Sequence, residues 1–315
     1  MSLTYFLKND KDVNALFKTH IGNIKNLFQM ETGAIPFQTK TPMITPPPTE
    51  NWLPSVNGPN VGTAYDYYIR AYIQRKNGLM DEKEVPLLLL EGARIIKTIY
   101  LNTSYLDDNG AFEEEFFEDP DSLENTIHEA WEMRTRYIQG ENISYEELAE
   151  QCLLMTYIEN HYRNKGMGLR PDGYKTVSKE EQTSLQQLMI NTEKEEQPSF
   201  FTIQDKNHVH FNPDFDEASK LIGGADADLI IDNALIDIKT TKTNEYKGKE
   251  VYQLIGYYLL YQHSRLKEKP IERLGLYFSR FNQYVYLETQ TLENEKDMDA
   301  FANDFFALIK SKRSL

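Results

Sequence analysis

Apolar positions near the start of the chain recur at helical spacing. Val13, Leu16, Phe17, Ile21, Ile24 and Phe28 fall close to a 3.6-residue period. Residues 1–40 therefore read as a short helical segment. The next stretch, 41–60 (TPMITPPPTENWLPSVNGPN), breaks the pattern with proline, threonine and asparagine and reads as an extended connector. From 62 to about 192 the helical period returns in five blocks, 62–76, 85–101, 122–139, 144–164 and 178–192. Two of them open on Ser-x-x-Glu, Ser144 with Glu147 and Ser178 with Glu181. This is the capping-box arrangement that satisfies orphan main-chain N–H groups at a helix start.

Beyond Ser199 the period changes to that of strands. Segments 200–203, 208–211, 225–231, 234–239, 273–279 and 284–288 alternate or are densely apolar. One helix, 245–263, interrupts them, and another, 297–310, follows. The expected fold is α/β, a mixed central β-sheet flanked by helices with a large helical block ahead of it. The expected division is 1–60, 61–198 and 199–315.

Composition narrows the function classes. A single cysteine, Cys152, excludes a disulfide framework, a Cys-rich zinc site or a four-cysteine iron–sulfur cluster within the chain. The start, MSLTYFLKND, carries no apolar core of a secretory signal, and the longest apolar runs are too short to span a bilayer. A cytoplasmic protein without a membrane segment is expected. The net charge is −15, which argues against a general nucleic-acid coat protein. Charge is uneven, however. Segment 107–121 holds eight acids and no base, whereas 239–280 holds nine Lys/Arg against four acids. Location of charge governs the steering of a polyanion more than its sum.

The most informative stretch is 223–242, GGADADLIIDNALIDIKTTK. Asp232-Asn233 tolerates the positive φ that a two-residue hairpin loop requires. In that register Asp228 faces Asp237 and Asp226 faces Lys239. Alternation along each strand puts all four on one sheet face, with Leu229, Ile231, Ile236 and Ile238 on the other. Three carboxylates so close repel one another, and a hard divalent cation with oxygen ligands resolves the conflict. A three-residue loop, Asp232 to Ala234, would instead set Asp228 opposite Ile238 and scatter the group.

At these residues the chain resembles the PD-(D/E)XK nuclease superfamily, and its RecB-like branch in particular. Asp237-Ile238-Lys239 matches D-x-K. Asp228, preceded by Ala227 rather than Pro, looks like the first acidic position. Asp226 competes for that place through the glycine-led spacing Gly223-x-x-Asp226. Downstream, Gln253 and Tyr257 match the branch's Q-x-x-x-Y element, one helical turn apart on one face. Upstream, Gly62-Thr63-Ala64-Tyr65-Asp66 is similar to its G-T-x-x-H helix opening, with Asp66 where the branch often has His. The resemblance covers 223–261 and 62–66. It implies a restriction-endonuclease-like core and Mg²⁺- or Mn²⁺-dependent hydrolysis of DNA. Asp228, Asp237 and the Ile238 carbonyl, with Asp226 and Asp66 as further candidates, would hold the metal. Lys239 would serve the attacking water or the phosphate charge, and Gln253 and Tyr257 would orient Lys239 or touch the nucleic-acid backbone. Lys242, Lys247 and Lys249 would contact phosphates.

Other signals carry less. His208-x-His210 has a zinc-compatible spacing but no further ligands nearby, and reads as a partly exposed strand face. The stripe Tyr65, Tyr68, Tyr72 suits either base stacking or a core. No Gly-rich phosphate loop with Gly-Lys and no nucleophile elbow is present, so a motor would have to come from a protein partner. A nuclease fold that binds or scaffolds without cutting, and an RNA-directed nuclease, are the competing readings.

Overall fold

The run ALIDIK, 234–239, is buried at five of its six positions, as a strand covered on both faces is. It forms the centre of a six-stranded sheet in the computed structural model, which describes residues 3–32, 58–79, 84–102, 121–167, 177–193, 197–241 and 248–313. The chain begins with α1 (Leu3–Asn9), α2 (Lys11–Ile21), a 3₁₀ turn (Ile24–Leu27) and β1 (Gln29–Thr32). Five helices follow: α3 (Gly58–Asn77), α4 (Leu87–Asn102), α5 (Asp121–Ile138), α6 (Tyr145–Arg163) and α7 (Lys179–Thr192). A second 3₁₀ turn (Ser199–Phe201) leads to β2 (Val209–Phe211), α8 (Asp216–Leu221), β3 (Leu229–Ile231), β4 (Ala234–Lys239) and α9 (Gly248–Gln262). The chain continues with β5 (Arg273–Phe278), β6 (Gln283–Glu288), α10 (Thr289–Glu295) and α11 (Met298–Arg313). Two compact units result, Met1–Pro47 with Lys194–Leu315, and Pro48–Glu193.

In the first unit the sheet order is β1-β6-β5-β4-β3-β2. Only β4 and β5 run parallel, as strands joined by a crossover helix do; here that helix is α9. One face of the sheet packs Leu235, Leu274, Leu276 and Leu287 into a core with Leu254 and Ile255 of α9, Phe17 of α2 and Phe301 and Phe305 of α11. Phe17 and Phe301 meet edge to face at 4.9 Å between centroids, a favoured geometry for two rings. On the other face Tyr277 and Tyr284 receive Phe200 and Phe201.

The expected strand 200–203 is instead the 3₁₀ turn Ser199–Phe201. A strand would send neighbouring phenylalanines to opposite faces, whereas the turn lets both reach Tyr277. Segment 225–231 is likewise shorter as a strand than expected. Its start follows Gly223 and Gly224, both at positive φ, and only Asp226 makes an isolated bridge, to Asp214. The helical reading of 1–40 passes over β1, a four-residue strand that pairs with β6.

In the second unit the expected helices all form. Ser144 and Glu147 make the full reciprocal capping box. Ser178 makes only half of its box, because Glu181 turns inward to Asn60 and Tyr157. Two of the three stripe tyrosines are core: Tyr65 and Tyr68 are buried, with hydroxyls on Thr192 (2.7 Å) and Glu193 (2.9 Å), while half-buried Tyr72 stacks on Tyr68. No helix among the described residues is long and apolar enough to cross a membrane.

Candidate metal-binding hairpin

The β3–β4 turn sets the geometry. Leu229 pairs with Ile236, Ile230 with Leu235 and Ile231 with Ala234, so the loop is the two-residue Asp232–Asn233 and not the three-residue alternative. Only Asp232 adopts positive φ, 54°. Its carboxylate accepts the main-chain N–H groups of Gln204 (3.1 Å) and Asp205 (2.7 Å), which stabilises the turn from outside.

Continued one step, this register sets Asp228 opposite Asp237. Asp228 lies just past the regular ladder, and its carboxylate Oδ2 accepts the Ile238 N–H at 2.5 Å. It thus supplies the acceptor that a longer β3 would offer from its main chain. Leu229, Ile231, Ile236 and Ile238 are buried, as expected for the far face.

Asp237 is 3% exposed. Its Oδ2, buried and without a hydrogen-bond partner, lies 2.5 Å from the Lys239 ammonium as an ion pair. Lys239 Nζ donates to Gln253 Oε1 at 3.0 Å, and Gln253 Nε2 donates to the Tyr257 hydroxyl at 2.9 Å. The α9 helix therefore brings Gln253 and Tyr257 to the acidic end of β4, as one-turn spacing allows. Burial alone would depress the Lys239 amine, but Asp237 and Asp228 outweigh it and hold it above the ordinary lysine value. Burial first, then Asp237, Asp228 and Asp226, push the Tyr257 phenol well above its usual range.

A buried carboxylate oxygen with no hydrogen bond, beside a second carboxylate, suits a cation. The expected trio of acids does not assemble, however. Among the described residues no three His, Cys, Asp or Glu side chains are placed to hold a metal ion together. Asp226 is exposed and bridges to Asp214, because the strand is interrupted between it and Leu229. Asp66 stands on α3, in the other unit. Lys249 is exposed in the first turn of α9, while Lys242 and Lys247 lie outside the described residues.

Three neighbours escaped the sequence reading. Thr240 and Ser279, just past the ends of parallel β4 and β5, pair through their hydroxyls at 3.0 Å. Arg280 follows Ser279 in a 3₁₀ turn and is buried, which pushes its guanidinium down to about 10. The signal was topological: ligands favour the carboxyl ends of parallel strands.

His208 is buried rather than partly exposed, with Nδ1 on the Asp232 carbonyl and Nε2 3.4 Å from the Tyr261 hydroxyl. Its ring therefore braces the turn. Burial holds both His208 and His210 below the ordinary histidine value. Groups lowered in this way stabilise the fold above an unfolded pKa of about 6.5, and that contribution is lost as pH falls through the folded value. Urea unfolding at pH 7.5 and 5.5 is expected to show a smaller acid loss for His208→Asn than for wild type. Equal losses would count against the assignment.

A cavity of about 480 Å³ lies at the turn end of the hairpin, lined by Asp232, Asn233, Lys269, Glu272, Arg273 and Tyr284 among others. Charged groups there are already matched, Lys269 with Asp205 and Glu272 with the Asn233 amide. The buried Asp237–Lys239 pair lies at the other end of the hairpin. Scans against protein-family models, curated proteins and solved structures yield no match to this chain.

Proposed function

We propose that the chain is a Mg²⁺- or Mn²⁺-dependent deoxyribonuclease of the PD-(D/E)XK type, RecB-like branch, built on a restriction-endonuclease-like core. The observation that carries this reading is the buried Asp237 carboxylate beside Asp228, with Lys239 held between Asp237 and Gln253. Asp228, Asp237 and the Ile238 carbonyl would hold the ion, which when bound polarises the scissile phosphate and lowers the pKa of a bound water. Asp228 reaches that position because its carboxylate is fixed on the Ile238 N–H. Lys239, kept as an ammonium by its acidic neighbours, stabilises charge building on the phosphate. Gln253 accepts one Lys239 proton and so aims the ammonium, while Tyr257 fixes the Gln253 amide. Exposed Lys249 contacts the phosphate backbone, which positions without reading sequence. DNA as substrate comes from the resemblance, and a protein partner would supply any motor.

That no third carboxylate joins the pair among the described residues, together with the acidic net charge, favours one rival, a nuclease fold that binds or scaffolds without cutting. Incubating wild type and Asp237→Ala with single- and double-stranded DNA and RNA decides between them, in Mg²⁺, Mn²⁺ or EDTA. The nuclease reading expects wild-type cleavage of DNA that EDTA and Asp237→Ala both stop. Absence of cleavage on every substrate, or equal cleavage by both proteins, selects the rival.

A further inference from the structure

Gln253 makes a third hydrogen bond: its Nε2 donates to the Thr4 hydroxyl at 2.8 Å, across 249 positions of sequence. Both Nε2 hydrogens and the Oε1 acceptor are thereby engaged. A lysine ammonium only donates, so it must meet Oε1, and the two Nε2 hydrogens are left for acceptors. One goes to Tyr257, on the same helix. The other goes to α1, an element from the far end of the chain. The terminal torsion of a glutamine is broad and roughly two-fold, so a single partner on Nε2 leaves the amide free to rock.

Thr4 is held in place by its own helix. Leu3, Phe6 and Leu7 of α1 are buried in the core that includes Ile255 and Leu259 of α9. Asn14 of α2 donates to the Leu7 carbonyl at 2.7 Å and so ties down the end of α1. Gly256 lets α1 come close: a Cβ there would lie 2.7 Å from Leu3 Cδ2. Gly256 sits three residues after Gln253 on the same helical face, so the packing that seats Leu3 also sets Thr4 over the Gln253 amide.

We infer that Thr4 is a positioning residue for Lys239, acting through Gln253, so that the N-terminal helix is part of the candidate active site. Its effect on cleavage rests on the nuclease reading; its effect on Lys239 does not. Two measurements separate the pair. The first is the rate at which an amine-acylating reagent modifies Lys239 relative to the other lysines. It is followed by mass spectrometry of the full chain at one fixed pH, without metal or nucleic acid. Thr4→Val is expected to raise the relative rate at Lys239, and Thr4→Ser to restore it. The second is steady-state cleavage, where Thr4→Val lowers kcat about two- to tenfold with KM unchanged, as loss of one modest hydrogen bond predicts. An unchanged relative labelling rate at Lys239 in Thr4→Val overturns the inference, whatever the cleavage result. Altered labelling in a protein that cuts no nucleic acid upholds it and defeats the nuclease reading instead.

Discussion

Asp237→Asn is expected to lower metal-dependent DNA cleavage by roughly a thousandfold or more, since a metal-polarised phosphate is worth several kcal/mol and each 1.36 kcal/mol is tenfold in rate. The amide keeps the volume of the carboxyl group, so the buried position stays filled. It loses the charge that pairs with Lys239 and that would face the cation. Lys239→Met is expected to cost a similar factor for a different reason, since it leaves the acids in place and removes the ammonium held by Gln253. The two variants should diverge in metal binding. Calorimetric titration with Mg²⁺ or Mn²⁺ should show weakened uptake for Asp237→Asn and retained uptake for Lys239→Met. Retained cleavage in Asp237→Asn, or no metal uptake by wild type even with DNA present, would remove the catalytic role of the hairpin.

That divergence follows from how the site balances its charges. A buried carboxylate needs a counter-ion, and removing one partner of such a pair is costly. In this arrangement the counter-ion is Lys239, two residues along the same strand and on the same face. The ammonium and a metal ion therefore draw on the same carboxylate. Asp228 differs: its Oδ2 is committed to the Ile238 N–H, a bond that fixes the carboxylate at the end of the ladder.

The hairpin was legible from the sequence because strand alternation and a two-residue turn leave one register, and that register determines which residues face each other. Gln253 and Tyr257 were picked out by the resemblance to the Q-x-x-x-Y element; one-turn spacing added only that they share a helix face. What local pattern cannot encode is tertiary. Asp226 lies two positions before Asp228 and by alternation should share its face, yet the strand is interrupted between them and Asp226 pairs with Asp214 instead. Phe200 and Phe201 read as strand because aromatic residues favour strands, but their shared target, Tyr277, requires a turn. Thr4 carries no signal at all: an exposed threonine in a seven-residue helix gains its partner only when α1 packs on α9. Strand β1 is similarly silent, since QMET has one strongly apolar residue and its pairing with β6 is set by the rest of the sheet.

Gly275→Ala is expected to destabilise the sheet unit by about 1–3 kcal/mol, the usual cost of forcing extra volume into a well-packed core. Gly275 lies mid-strand in β5, paired with Ile236 of β4 on one side and Tyr286 of β6 on the other. A glycine in such a place weakens a strand unless something approaches closely. Here the Tyr284 ring does: a Cβ on Gly275 would lie 2.4 Å from its Cε2 and 2.5 Å from its hydroxyl oxygen. The ring has little room to retreat, being 1% exposed and packed against Phe200 at 5.0 Å between centroids. If that contact is the cause, shrinking the ring should relieve it. Tyr284→Leu alone leaves a cavity and is destabilising. Combined with Gly275→Ala it should lose clearly less than the sum of the two single losses, the signature of residues that share one space. Urea unfolding of the four proteins measures the coupling directly. Additive losses would place the cost of the alanine elsewhere in β5, for instance in its pairing with β4, and cleavage by Gly275→Ala would then fall along with stability because β4 carries Asp237 and Lys239.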